Sequence, residues 1–166
     1  MRFRIEQDFA APVDTVVAAL VDPSYLALMA QLRDISAPEV RSQSRDGTMV
    51  RQELLFRFTG RLPGVVTRVI DPAKLSWTEF DEVDLVARRC QFAMVPVHYE
   101  KFFRCDGSWT ITERSTTEAR RVIEGDLRVN SPVPFVGGQV EKAIVSGLRE
   151  RLHAEPAVFA TWYQRG

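Results

Sequence analysis

Few residues in this chain have the types and spacing that chemistry requires. The densest run is Pro96-Val97-His98-Tyr99-Glu100. An imidazole, a phenol and a carboxyl in succession are the groups of general acid–base catalysis. Neighbouring side chains on a strand point to opposite faces, however, so His98 and Tyr99 do not converge on one substrate. The run reads better as a turn between two strands. Glu79 shares a face with Trp77, while Phe80 occupies the other, so the facing of this strand stays open. If the Trp77 face is the inner one, burial raises the pKa of Glu79 and makes it an acid or base candidate. Gln52 is the clearest polar residue on an otherwise apolar row. It either orients a carbonyl or hydroxyl guest or bonds neighbouring backbone. His153 lies near Glu150 and reads as a surface residue, and two histidines this far apart give no metal-ligand pattern. No glycine-rich phosphate loop and no Ser/His/Asp set with matching context is present. The sequence therefore assigns no catalytic residue, no metal and no cofactor.

What must position these groups is read from periodicity. Val136, Val140, Ile144, Leu148 and Leu152 recur every four residues, with Ala143 and Gly147 beside them. That is one apolar face of a helix running from Val136 to Tyr163. Glu141, Lys142, Arg149, Glu150 and Arg151 fall mostly on the other side. Pro156 lacks an N–H and would clash with the carbonyl of Leu152, which predicts a kink or short break before Val158, Phe159 and Trp162 resume the apolar face. About 26 helical residues span roughly 39 Å, close to the roughly 40 Å of a twelve-residue strand.

The rest of the chain supplies such strands. Phe3, Ile5 and Phe9 alternate with charged residues, as in a half-buried strand. Two short helices follow, Val13 to Leu20 and about Ser24 to Gln31, with Ser24 as the expected N-cap. Glu39 to Arg45 is a polar, edge-like strand. Asp46-Gly47 signals a two-residue type I′ hairpin, and Val50 to Thr59 returns with Val50, Gln52, Leu54, Phe56 and Phe58 on one side. Leu62, Val65, Val66, Val69 and Ile70 have helical spacing between Pro63 and Asp71-Pro72, a short amphipathic helix that either plugs the open edge of the sheet or acts as a lid. Leu75 to Asp81 is the next strand. Three more place Cys90, Phe92 and Met94, then Phe103, Cys105, Trp109 and Ile111, then Ile123, Leu127 and Val129 on inner rows. Gly125 on the last of these rows suits a sharp bend or a space. A turn near His98 would set Cys90 almost opposite Cys105. A disulfide is conceivable, but two buried thiols are expected in a reducing compartment. Consecutive strands with short links imply an antiparallel meander.

Bulk properties narrow the partners. The 166 residues suit one domain, and 22 acidic residues balance 22 basic ones. No basic patch points to nucleic acid, no apolar run approaches the ~20 residues of a membrane span, and Met1 to Glu6 has no signal-peptide core. A cytoplasmic setting without stable membrane insertion is the expectation; the oligomeric state is not legible.

The order strand, two helices, six strands with one short insert and a long helix resembles the helix-grip fold of the START-like superfamily, which includes lipid-transfer domains and polyketide cyclases. Within it, Gly125-Asp126-Leu127-Arg128-Val129, Pro132 to Pro134 and Val136-Gly137-Gly138-Gln139-Val140-Glu141-Lys142 resemble a bacterial family of unknown function. The resemblance implies an α+β domain: a curved antiparallel sheet of about seven strands around a C-terminal helix, enclosing a cavity. The expected function is binding or transport of a hydrophobic small molecule, such as a lipid, isoprenoid or polyketide-like compound. The alternatives are a cyclase- or hydratase-type enzyme using Glu79, His98 or Tyr99, and a partner-binding module. Expected ligand contacts are Gln52, Phe56, Phe58, Trp77, Phe92, Met94, Phe103, Trp109, Ile144 and Leu148, with Val65, Val66 and Val69 as the lid. The same aromatic and thioether side chains equally suit a filled core.

Overall fold

Alternation of buried and exposed residues builds most of this molecule, and β1 (Arg2–Phe9) shows it: every second residue from Phe3 to Phe9 is buried, with Gln7 the one polar member of the row. The computed structural model describes residues 1–62, 64–68, 70–130 and 136–166. After β1 come α1 (Val13–Ala19), α2 (Pro23–Leu28) with a 3-10 turn at Met29–Gln31, β2 (Glu39–Asp46), β3 (Met49–Arg57), α3 (Gly64–Thr67), a 3-10 turn at Pro72–Lys74, β4 (Ser76–Asp84), β5 (Arg89–Pro96), β6 (Phe103–Ser115), β7 (Glu118–Val129) and α4 (Val136–Tyr163). The seven strands form one curved antiparallel sheet in the order β1-β7-β6-β5-β4-β3-β2. A meander from β2 to β7 is closed by β1, which pairs with β7 so that Ile5 faces Ile123 and Gln7 faces Arg121. Helix α4 packs along the concave face, chiefly on β1 and β7.

Helix α4 runs unbroken through Pro156, contrary to the expected interruption. Pro156 brings no N–H for the carbonyl of Leu152, and the side-chain amide of Gln7 donates to that oxygen instead. A strand residue thus replaces the missing helical bond. The aromatic residues after the proline hold the rod down: Phe159 meets Phe9 edge-on at 5.2 Å and Tyr25 at 5.8 Å. At the other end, Glu141 accepts the N–H of Val129 at 2.9 Å, which ties the first turns of α4 to the end of β7.

Local corrections are small and have clear causes. The N-cap of α2 is Asp22, whose carboxylate accepts from Ser24 N at 2.7 Å; Ser24 instead receives the indole N–H of Trp162 at 2.9 Å. Asp46 pairs with Met49, so the hairpin loop is Gly47-Thr48, one residue later than expected, with Gly47 at φ +57°. Among the described residues, the α-helix of the insert covers Gly64–Thr67. Cys90 stands opposite Trp109 and Cys105 opposite Met94, so the two thiols are not neighbours; both are buried and free.

Gly125 leaves no void. Register sets Phe3, Gly125, Gly107 and Phe92 in one row across four strands. A β-carbon on Gly125 would meet the Phe3 ring at 2.4 Å, and one on Gly107 would meet Phe92 at 2.6 Å. The two rings lie over the paired glycines and form part of the cavity floor.

Candidate functional site

The row that begins with Phe3 and Phe92 continues to Asp81 on β4 and Gln52 on β3. β4 therefore turns Trp77, Glu79, Asp81 and Val83 inward and leaves Phe80 exposed, which settles the open facing. Between this part of the sheet and α4 lies a cavity of about 80 Å³. On that measure a water needs about 10–15 Å³, so there is room for roughly five to eight waters or one compact organic molecule. Its apolar walls include Phe3, Phe56, Phe92, Met94, Trp109 and Leu148, and its polar walls are Gln52, Glu79, Asp81, Arg121, Arg151 and Glu155.

The polar groups divide in two. On the β1–β7 side, Glu155 and Arg121 form a buried ion pair, 2% and 4% exposed. Gln7 donates to Glu155 at 3.0 Å and accepts from Arg121 Nε at 2.6 Å, and Tyr25 donates its hydroxyl to Glu155 at 2.9 Å. The Arg121 guanidinium also lies 5.5 Å from the centre of the Phe9 ring. Burial pushes the Glu155 pKa up, but the Arg121 charge and the Gln7 and Tyr25 hydrogen bonds outweigh it and hold the carboxyl below its ordinary value.

On the β3–β4 side the satisfaction is incomplete. Gln52 donates to Asp81 Oδ2 at 2.9 Å and to the carbonyl of Leu20 at 3.2 Å, while its own oxygen accepts from Gln43 at 3.1 Å. Asp81 Oδ1 is buried and, apart from the neighbouring Glu79 carboxyl, has no partner among the described residues. Glu79 lies two residues along the same strand face. Burial first, and the neighbouring Asp81 charge second, raise the Glu79 pKa well above the carboxylate range. Burial likewise raises Asp81, with the hydrogen bonds to Gln52 and Glu79 and the Arg121 charge opposing. Two such carboxyls share one proton near neutrality, held mainly by Glu79. Arg151 reaches over the Phe56 ring at 5.9 Å and makes no ion pair among the described residues. Burial lowers its pKa against the opposing pull of Glu79 and Glu155.

Six of the ten expected contacts line this cavity: Gln52, Phe56, Phe92, Met94, Trp109 and Leu148. Trp77, Phe103 and Ile144 line a second, smaller hollow of about 40 Å³, with His98 and Tyr99 at its rim. Phe58 lines neither; it bridges Ile35 beyond the end of β3. Of the three lid residues, Val66 is buried, Val65 belongs to α3, whose backbone alone is described there, and Val69 lies outside the described residues. His98 and Tyr99 sit in the β5–β6 loop, where the Tyr99 hydroxyl accepts from Asp71 N at 3.0 Å. Sequence reasoning missed Asp81, Arg121, Glu155 and Gln7 and placed Arg151 on the polar face. The signal was available: Gln7 and Arg121 sit at inner positions of their strands, and Arg151 and Glu155 are one helical turn apart. Among the described residues no group of His, Cys, Asp or Glu side chains forms a metal set, and no single helix is long and apolar enough to cross a membrane.

Comparisons agree with this architecture. The profile of a family described as "Protein of unknown function (DUF2505)" matches residues 4–163. No curated protein matches the sequence. Among solved structures, TTHA0849 from Thermus thermophilus aligns with a TM-score of 0.65 at 21% identity, over 97% of this chain and 99% of that one. The Zhui aromatase/cyclase from a Streptomyces species gives 0.67 at 13%, over 95% and 92%. Norcoclaurine synthase from Thalictrum flavum gives 0.56 at 14%, over 92% and 83%. At these identities the likeness is one of fold, the helix-grip fold.

Proposed function

We propose a function for a chain that belongs to the DUF2505 family, whose description assigns none: it binds a compact, largely apolar small molecule between the sheet and α4. The observation that carries this reading is the cavity of about 80 Å³, walled by aromatic, leucine and methionine side chains with two clusters of polar groups among them. Binding sites for small organic molecules share that composition. Of the guests expected from sequence, the volume favours a single ring with a short arm over a lipid chain. The two named neighbours, an aromatase/cyclase and norcoclaurine synthase, support small-molecule chemistry in this fold. NMR titration with benzyl alcohol and toluene tests the reading. Saturable shifts at the Met94 methyl and the Trp109 indole N–H are expected; unchanged spectra up to the solubility limits would refute it.

A second reading, proton transfer on the bound molecule, is favoured by one observation: Glu79 and Asp81 from the sheet and Arg151 from α4 line the same cavity. A carboxyl whose pKa is brought near the working pH is suited to general acid–base work. Deuterium exchange into an enolisable guest, abolished by Glu79→Gln, would support it; exchange at the solvent rate in wild type would exclude it.

A further inference from the structure

The cavity wall carries three carboxyls, Glu79, Asp81 and Glu155, and two guanidiniums, Arg121 and Arg151. Arg121 is committed to Glu155 through the buried ion pair. Glu79 and Asp81 therefore face one remaining guanidinium, Arg151, and with both carboxyls ionised the site is one positive charge short of neutrality, a charge that the shared proton supplies. Asp81 is 7% exposed and lines the cavity, and once Glu79 is ionised its Oδ1 has no donor among the described residues. Glu79 projects from the same face of β4 two residues away. The two carboxyls are within hydrogen-bond reach of each other and share one proton, so a donor group that takes the place of that proton would serve both.

The donor inventory selects the guest. A hydroxyl has one proton to give and brings no charge. An ammonium has three N–H donors and the missing positive charge, so it can serve Asp81 Oδ1 and Glu79 together. We infer that the cavity takes a compact apolar amine, its ammonium held between Asp81 and Glu79 and its ring against Phe92, Met94 and Leu148. This rests on the reading of the cavity as a small-molecule site.

Such a guest would displace a proton. Without guest, the pair is neutralised by a proton on Glu79. An ammonium that takes over this role sends that proton to solvent: R–NH3⁺ plus the Glu79 acid gives the bound ion pair plus H⁺. The groups facing the pair are Gln52 from β3, Cys90 from β5, Cys105 from β6, Arg121 from β7, and Arg151 and Glu155 from α4. Burial raises both thiols, so they stay neutral near pH 7. Arg121 remains with Glu155, which leaves Glu79 as the group that releases the proton.

Calorimetric titration of the full chain with benzylammonium and with benzyl alcohol, at pH 7 in phosphate and in Tris, tests this. The amine is expected to bind at least about ten-fold tighter than the alcohol, with about one proton released per guest from the difference between buffers. Asp81→Asn should weaken the amine about ten-fold while changing the alcohol less than about two-fold, and Glu79→Gln should abolish proton release. Equal affinities, or amine binding without proton release, overturn the inference while leaving the small-molecule reading intact. Binding of neither compound overturns both. The wild-type comparison needs no variant, so an unfolded Asp81→Asn chain would not blunt the test.

Discussion

Two polar clusters share one interior and are built differently. Around Glu155, every strong group has found its partner: Arg121 by charge, Gln7 and Tyr25 by hydrogen bond. Around Asp81, only one carboxylate oxygen is satisfied by Gln52, and neighbouring Glu79 is held in its acid form by burial and like charge. A closed network of the first kind fixes one arrangement of helix on sheet. Breaking it is expensive, since a buried charge left alone costs far more than a pair. The second kind leaves interaction capacity unused inside the protein, which is what the proposed guest would take up.

This contrast can be broken from the closed side first. Glu155→Leu strands the Arg121 guanidinium, and urea denaturation should show a loss of about 3–5 kcal/mol. The double variant Arg121→Met/Glu155→Leu should lose less than the single one, because no charge is left alone. Gln7→Leu removes both the bond to Glu155 and the donor that replaces the missing Pro156 N–H. A loss of about 1–3 kcal/mol is expected in the same assay.

The open side should respond in the opposite sense. Glu79 has a folded-state pKa raised from 4.5 to about 8. The folded state binds the proton more tightly, so its contribution is full below pH 4.5 and is lost as pH rises toward 8. Glu79→Gln removes that slope. In urea denaturation its stability should match wild type near pH 4.5 and exceed it at pH 8, by an amount on the order of 1–3 kcal/mol. A fall in stability at pH 8 would mean that Glu79 is paired after all. The smallest effect concerns the thiols: burial pushes Cys105 up to about 12 and Cys90 higher still. Neither should react with a disulfide reagent in the native state at pH 8, whereas both should react in urea.

The fold was legible because its signals are local. Alternation in Phe3, Ile5 and Phe9, the Asp46-Gly47 turn signal and the four-residue spacing from Val140 to Leu152 each report one element, and together they fix strand, hairpin and long helix. The site was less legible because it depends on how elements pair. Nothing near Glu79 in sequence says which face of β4 is inner; pairing of Trp77 with Phe56 and of Asp81 with Gln52 decides it. Gln7 and Arg121 lie 114 residues apart and meet only because the first strand joins the last. Charge misled in a consistent way. Arg151 and Glu155 look like solvated helix residues until the sheet that opposes them supplies Phe56, Gln7 and Tyr25. Pro156 misled likewise, since the donor that excuses it comes from another strand.

The difference between the two clusters can be read in one experiment. Side-chain carboxyl ¹³C shifts of Glu79 and Glu155, followed together from pH 2 to pH 9, report where each proton leaves. Titration of Glu79 near 8, with Glu155 ionised below the usual glutamate range, is the result predicted here. Both residues titrating together near 4.5 would contradict the account.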